Sequence, residues 1–123
     1  MTRLIGKEYR MGTLQEANLA GAPDHKVLDA PYSYNIVELR YIAATAPYGT
    51  LDLTLEKDGV RLVLRFIDVH ELQTDPGFPY AGMGLEILDI SGFGWEHARI
   101  RVGGFDGEPG IRFWARDVHR LEG

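Results

Sequence analysis

Apolar and polar residues alternate most strictly between Thr50 and Phe66, and the alternation predicts a β-hairpin down to its register. Asp58-Gly59 is the turn signal, because both central residues of a type I′ turn take positive φ, a conformation Gly and Asp tolerate best. With that pair at the tip, Glu56 faces Arg61, Leu55 faces Leu62, Leu53 faces Leu64, Asp52 faces Arg65 and Leu51 faces Phe66. The apolar side chains then share one face, while the other carries two opposite-charge pairs of the kind that stabilise cross-strand neighbours. A one-residue slip would turn the leucines to water, so the register is strongly specified.

Shorter stretches of the same kind surround the hairpin. Ile36 to Ala46 reads as a strand with Val37, Leu39, Tyr41 and Ala43 on one face, and Pro47-Tyr48-Gly49 turns it into the hairpin. A short strand follows from Ile67 to Gln73. Leu85 to Ile90 is apolar on both faces, as in a central strand. Trp95 to Val102 alternates, with Ala98, Ile100 and Val102 inward and His97, Arg99 and Arg101 outward. The glycine-rich connection from Gly103 to Gly110 leads to a last strand, Ile111 to about Val118. Residues 1–35 are irregular; Thr13-Leu14-Gln15-Glu16 fits a capping box and Gly21 with Pro23 a helix stop, which allows one short helix. The expected fold is all-β: a single-domain antiparallel β-sandwich or small barrel of six to seven strands over residues 36–120, with at most one short N-terminal helix.

At 123 residues the chain has the size of one domain and buries enough surface to fold without staples. It holds no cysteine, which removes disulfides and thiolate metal sites and makes a reducing compartment, the cytoplasm, the natural expectation. No signal-peptide or membrane-spanning apolar run is visible, so a soluble chain away from membranes is expected. The formal charge of −5 argues against nucleic-acid binding, which needs a basic footprint. Ten of the thirteen basic residues are Arg, and Arg61, Arg65, Arg99, Arg101, Arg112 and Arg116 alternate along strands, which predicts solvent-facing positions.

Chemistry is signalled weakly. The segments 65–72 and 112–121 echo one another, each holding Asp-Val-His. Residues two apart on a strand face one side, so Asp68 with His70 and Asp117 with His119 would each present a carboxylate beside an imidazole. If the pairs lay on adjacent strands and faced inward, they would form a metal site or an acid–base dyad. Against this, apolar parity switches after Phe66, to Ile67 and Val69, and after Ala115, to Val118, as a β-bulge or strand bend would produce. Val69 and Val118 then turn inward and the Asp and His residues face water, the favoured expectation. His25 in a loop and His97 on an outward face add no third ligand. Ser33 and Ser91 lack a nucleophile elbow. The glycines between Gly103 and Gly110 precede a strand and are interrupted by Asp106 and Glu108, so they suit a loop rather than a phosphate cradle; no cofactor is expected.

Two surfaces suit recognition of a protein. The loop from Asp75 to Gly84 carries Phe78, Tyr80 and Met83 among prolines and glycines, and the paired last strands would gather Arg99, Arg101, Arg112, Trp114 and Arg116. The competing readings are an aromatic plug at the end of a sandwich and a solvated face neutralised by glutamates. The segment Gly84-Leu85-Glu86-Ile87-Leu88-Asp89-Ile90-Ser91, with Trp95-Glu96 and Phe113-Trp114-Ala115-Arg116-Asp117-Val118, resembles small bacterial all-β proteins of uncharacterised function. Some of these are similar to immunity proteins that neutralise polymorphic toxins. The resemblance spans roughly residues 50–120, rests on strand patterns and transfers no functional residue. The sequence thus favours a non-enzymatic protein-binding module, immunity-like by resemblance, with an unknown protein partner and homo-oligomerisation open. The alternative is a small-molecule-binding or metal-dependent enzyme using Asp68, His70, Asp117 and His119.

Overall fold

The computed structural model describes residues 21–43, 48–76, 84–104 and 110–121. Seven antiparallel strands follow in chain order: β1 (Asn35–Ile42), β2 (Gly49–Lys57), β3 (Val60–Thr74), β4 (Leu85–Asp89), β5 (Ile100–Gly104), β6 (Ile111–Ala115) and β7 (Asp117–Leu121). Among the described residues the only helical turns are 3-10 turns at Pro31–Ser33 and Ser91–Phe93. The chain is therefore all-β, and because the strand path has two ends it is not a closed barrel. The segment proposed as a short helix, from Thr13 towards Gly21, lies almost wholly outside the described residues.

β3 organises the molecule. Its first half pairs with β2 on one side and β7 on the other, and its second half pairs with β6, which carries β5 and then β4. The two halves thus belong to two sheets whose inner faces share one core. Leu51, Leu53, Leu55, Leu64 and Phe66 meet Leu85, Ile87, Ile100, Val102, Ile111 and Phe113, all buried. Phe66 and Phe113 touch edge to face across the core with ring centroids 4.9 Å apart. Each such side chain contributes about 1.5–3 kcal/mol when removed from water, which makes this interior the main source of stability.

The hairpin forms in the expected register, from Glu56 opposite Arg61 to Leu51 opposite Phe66. Asp58 and Gly59 take φ of 54° and 80°, as the turn requires. The Asp52 carboxylate accepts two hydrogen bonds from the Arg65 guanidinium, at 2.7 and 2.8 Å.

Elsewhere the strands depart from expectation for identifiable reasons. Ile67–Gln73 is not a separate strand but the continuation of β3. The last segment is two strands, broken at Arg116, because its two halves pair with the two halves of a bent β3. β4 lies at the end of the strand path rather than at its centre, but its outer edge is capped: His25 N–H donates to the Ile87 carbonyl and Asp89 N–H to the Pro23 carbonyl, both at 2.8 Å. Its second apolar face is satisfied by a satellite cluster of Ile90, Ala98 and Trp114 with Ala22, Leu88 and Trp95. β5 begins only at Ile100, so His97 and Arg99 belong to a loop. In β1 a bulge between Ile36 and Glu38 turns Ile36 inward with Leu39 and leaves Val37 exposed; Tyr41, beyond the bulge, is exposed as well and lies beside Gly49.

Candidate functional site

The bend of β3 gathers the unusual chemistry of the chain. Asp68 and Glu71 hold φ of 57° and 55°, left-handed values uncommon outside glycine. Thr50 pairs with Ile67 and Gly49 with Val69, so Asp68 is an extra residue bulged out of the ladder with β2. A second irregularity, between His70 and Gln73, interrupts the ladder with β6. Such outliers concentrate at functional positions. Their local effect is to turn Val69 into the core while His70 enters the opposite face of the second sheet, opposite Trp114.

The parity switch read from the sequence therefore marks a bend, and Val69 and Val118 point inward as expected. The expected exposure of both histidines holds for His119 only, since His70 is 7% exposed. Its Nδ1 lies 3.0 Å from the Asp68 carbonyl oxygen. A carbonyl only accepts, so the neutral imidazole carries its proton on Nδ1 and presents a bare lone pair at Nε2, which is buried with no hydrogen-bond partner. Burial pushes the His70 pKa below its ordinary value, outweighing the upward pull of the Asp68 carbonyl and Glu71; nearby His97 adds to the lowering.

Tyr48 covers this imidazole. Its ring stacks on His70 with centroids 4.2 Å apart and meets His97 edge-on at 5.7 Å. The next residue, Gly49, packs closely on β1, where a Cβ would collide with the Ile42 carbonyl oxygen and the Tyr41 ring. His97 Nδ1 lies 3.9 Å from the Asp68 carboxylate, beyond hydrogen-bond range, and is likewise buried without a partner. Asp68 accepts a 2.6 Å hydrogen bond from Arg116 Nε, which raises the arginine pKa. Arg116 N–H also donates to the Ile67 carbonyl at 2.9 Å, tying the β6–β7 break to the β3 bend.

Beyond Arg116 a recess of about 130 Å³ is lined by His25, Asp89, Ser91, Arg99, Ile100, Arg116 and Asp117. Asp89 accepts hydrogen bonds from the Ser91 hydroxyl at 2.6 Å and the Ser91 N–H at 2.9 Å, which hold its pKa below the usual range. His25 Nδ1 accepts from Val27 N–H at 3.0 Å, and burial lowers its pKa despite the carboxylates of Asp89 and Asp117. Ser91 gives its proton to a weakly basic carboxylate rather than to a histidine, so this recess is furnished for polar binding more than for nucleophilic attack.

The two Asp-Val-His segments flank the bend and run apart. His70 stands opposite Trp114 in one sheet, whereas His119 stands opposite Arg65 in the other, five residues away along β3. Asp68 joins His97 and Arg116, while Asp117 faces the recess with His25. Asp68, His70, Asp117 and His119 are thus not brought to one point, and among the described residues no group of three or more His, Asp or Glu is arranged to hold a metal ion.

The proposed arginine–tryptophan face divides. Arg99 and Arg116 are exposed and Arg112 pairs at 3.1 Å with Asp75. Trp114 and Arg101 are not solvent-facing: they are only 4% and 7% exposed, with the Arg101 guanidinium 4.5 Å above the indole ring. Their face is the satellite cluster, which sequence parity alone could not distinguish from solvent. Phe78, Tyr80 and Met83 lie outside the described residues. Tyr48 and Arg116, which the sequence placed in a turn and on a solvated strand, join the cluster. The available signal was the parity switch, which located the bend but not what would pack into it.

A second feature is the outer edge of β1. From Val37 to Ile42 it has no partner strand among the described residues, and Val37, Tyr41 and Ile42 are exposed at 39%, 39% and 43%. Glu38 and Arg40 on the same strand form a 3.3 Å ion pair with both side chains more than half exposed. No family model matches the chain, and neither the curated proteins nor the solved structures include a significant match.

Proposed function

We propose that this chain is a non-enzymatic protein-binding module that takes its partner as a strand added along β1. One observation carries the reading: a strand edge without a partner strand among the described residues, bearing three of the large exposed apolar residues, Val37, Tyr41 and Ile42. Unpaired N–H and C=O groups with apolar side chains beside them are a template for another chain, which gains ladder hydrogen bonds and apolar contact together. The opposite end of the strand path is capped by Pro23–His25, so the contrast lies within one molecule. The resemblance to immunity proteins, which act by binding another protein, agrees with this class of function.

Photo-crosslinking residues placed at Val37, Ile42 and, as a control, the exposed hairpin-tip Val60 test the reading in lysate of the producing cell. The expected result is crosslinked product from the β1 positions and not from Val60. Equal labelling at Val60, or none at β1, would overturn it.

A second reading, binding of a small polar molecule, is favoured by the buried, unpartnered His70 Nε2 and His97 Nδ1 and by the recess that shares Arg116 with their cluster. A thermal-shift screen of small carboxylic and amino acids would raise the melting temperature of the native chain and not of Arg116→Gln. A screen without hits removes this reading.

A further inference from the structure

We infer that the strand added to β1 is β1 of a second copy of this chain, running antiparallel about a two-fold axis at Leu39. This rests on the strand-addition reading and names its partner. Residues facing each other across an antiparallel ladder must both direct their backbone groups to the same shared edge or both away from it, so two identical strands meet only in registers centred on a residue. Near the middle of β1 three centres are available. Centring on Glu38 sets Glu38 against itself, and centring on Arg40 sets Arg40 against itself, and directly opposed like charges are destabilising.

Centring on Leu39 sets Glu38 opposite Arg40 of the second copy and Arg40 opposite its Glu38. The regular ladder ends at the Val37 bulge, and the exposed Val37, Tyr41 and Ile42 of both copies flank this paired centre along the seam. The order Glu38-Leu39-Arg40, within the regular part of β1, is self-complementary when reversed, as an isologous interface requires. The existing Glu38–Arg40 contact does not compete strongly, since an exposed ion pair contributes little. Two chains of formal charge −5 repel at a distance, which makes local pairing of opposite charges the feature that permits the approach. Two-fold pairing also closes the assembly, because each copy covers the other's open edge.

Sedimentation velocity over a concentration series tests this. The wild type should reach twice the 13.8 kDa of one chain. Glu38→Arg should raise the dissociation constant by about tenfold or more, because it creates two Arg–Arg oppositions. The double variant Glu38→Arg/Arg40→Glu should restore the dimer, since the reversed pair is again self-complementary. Far-ultraviolet circular dichroism of each variant should match the wild type, both positions being exposed. A wild type that stays monomeric, or a double variant no better than Glu38→Arg, overturns the inference. If Val37 then crosslinks to a different protein, only the second copy is ruled out; if β1 crosslinks to nothing, the strand-addition reading falls as well.

Discussion

β3 is one strand with two characters. From Val60 to Ile67 it pairs residue for residue with β2, Leu64 and Phe66 facing the core and Arg61 and Arg65 facing acidic partners. From Asp68 to Thr74 it carries two left-handed residues, two interruptions of its ladders and a buried imidazole. In the first half one face is wet, so alternation records which side is inward. In the second half Val69 enters the main core while its neighbour His70 is buried under Tyr48 on the other face, so around the bend alternation no longer carries that information. The regular half builds stability, and the bent half stores strain and unpaired polar atoms.

The largest test asks whether both halves serve one core. Leu53→Ala in the regular sheet should cost about 2–5 kcal/mol, and Phe113→Ala in the other about 3–5 kcal/mol, because both are fully buried. Urea denaturation gives the two values. A double-mutant cycle on Phe66 and Phe113 should show a coupling of about 0.5–1.5 kcal/mol for their edge-to-face contact. If either truncation costs under about 0.5 kcal/mol, or the coupling is absent, the sheets do not share an interior and the comparison fails.

The next effect separates relaxed from strained left-handed backbone. Gly59 sits at φ 80° with open space around a would-be Cβ, so Gly59→Ala meets only the conformational penalty of an L-residue, about 1–2 kcal/mol. Glu71 bears that penalty already and is exposed, so Glu71→Gly should raise stability by about 0.5–1 kcal/mol after the added entropy of glycine in the unfolded chain. Urea midpoints moving in opposite directions would place the strain in the bent half. A destabilised Glu71→Gly would mean that the second interruption is not strained.

How legible each half was follows from the same physics. The hairpin register, both of its charge pairs and the inward turn of Val69 and Val118 could be read directly, because each depends on neighbours in sequence or on a single wet face. The burial of His70, Trp114 and Arg101 could not. His70 is covered by Tyr48, and Trp114 packs with Ile90, Ala98, Trp95 and Ala22, all arriving from elsewhere in the chain onto a face that looks polar in strand order. Arg101 alternates as a surface arginine should, yet it lies over Trp114. The edge of β1 was hidden for the opposite reason. Val37 has the parity of a core residue, and only the bulge that substitutes Ile36 for it leaves it outside.

The smallest effect concerns the pH dependence that the bent half should add. In the unfolded chain His70 titrates near its ordinary value of 6.5, and in the fold desolvation lowers it, so below that pH the unfolded state binds more protons than the native one. Stability is then complete above about pH 6.5, declines as pH falls towards the lowered folded value, and levels off below it. Around the ring, the Asp68 carbonyl and carboxylate and Glu71 favour the charged form while His97 opposes it; burial outweighs the favourable neighbours. His25 is lowered for the same reason and contributes in the same window, whereas Asp52 and Asp89, whose pKa values are depressed, lose their contributions only below 3.8. His70→Phe keeps a ring under Tyr48 and removes both the titration and the unpartnered Nε2. Between pH 7.5 and pH 5.5 its urea midpoint should therefore fall less than that of the wild type, with the residual fall assigned to His25. Equal falls in both proteins would mean that His70 is as well solvated folded as unfolded, and the contrast between the two halves of β3 would then be one of geometry alone.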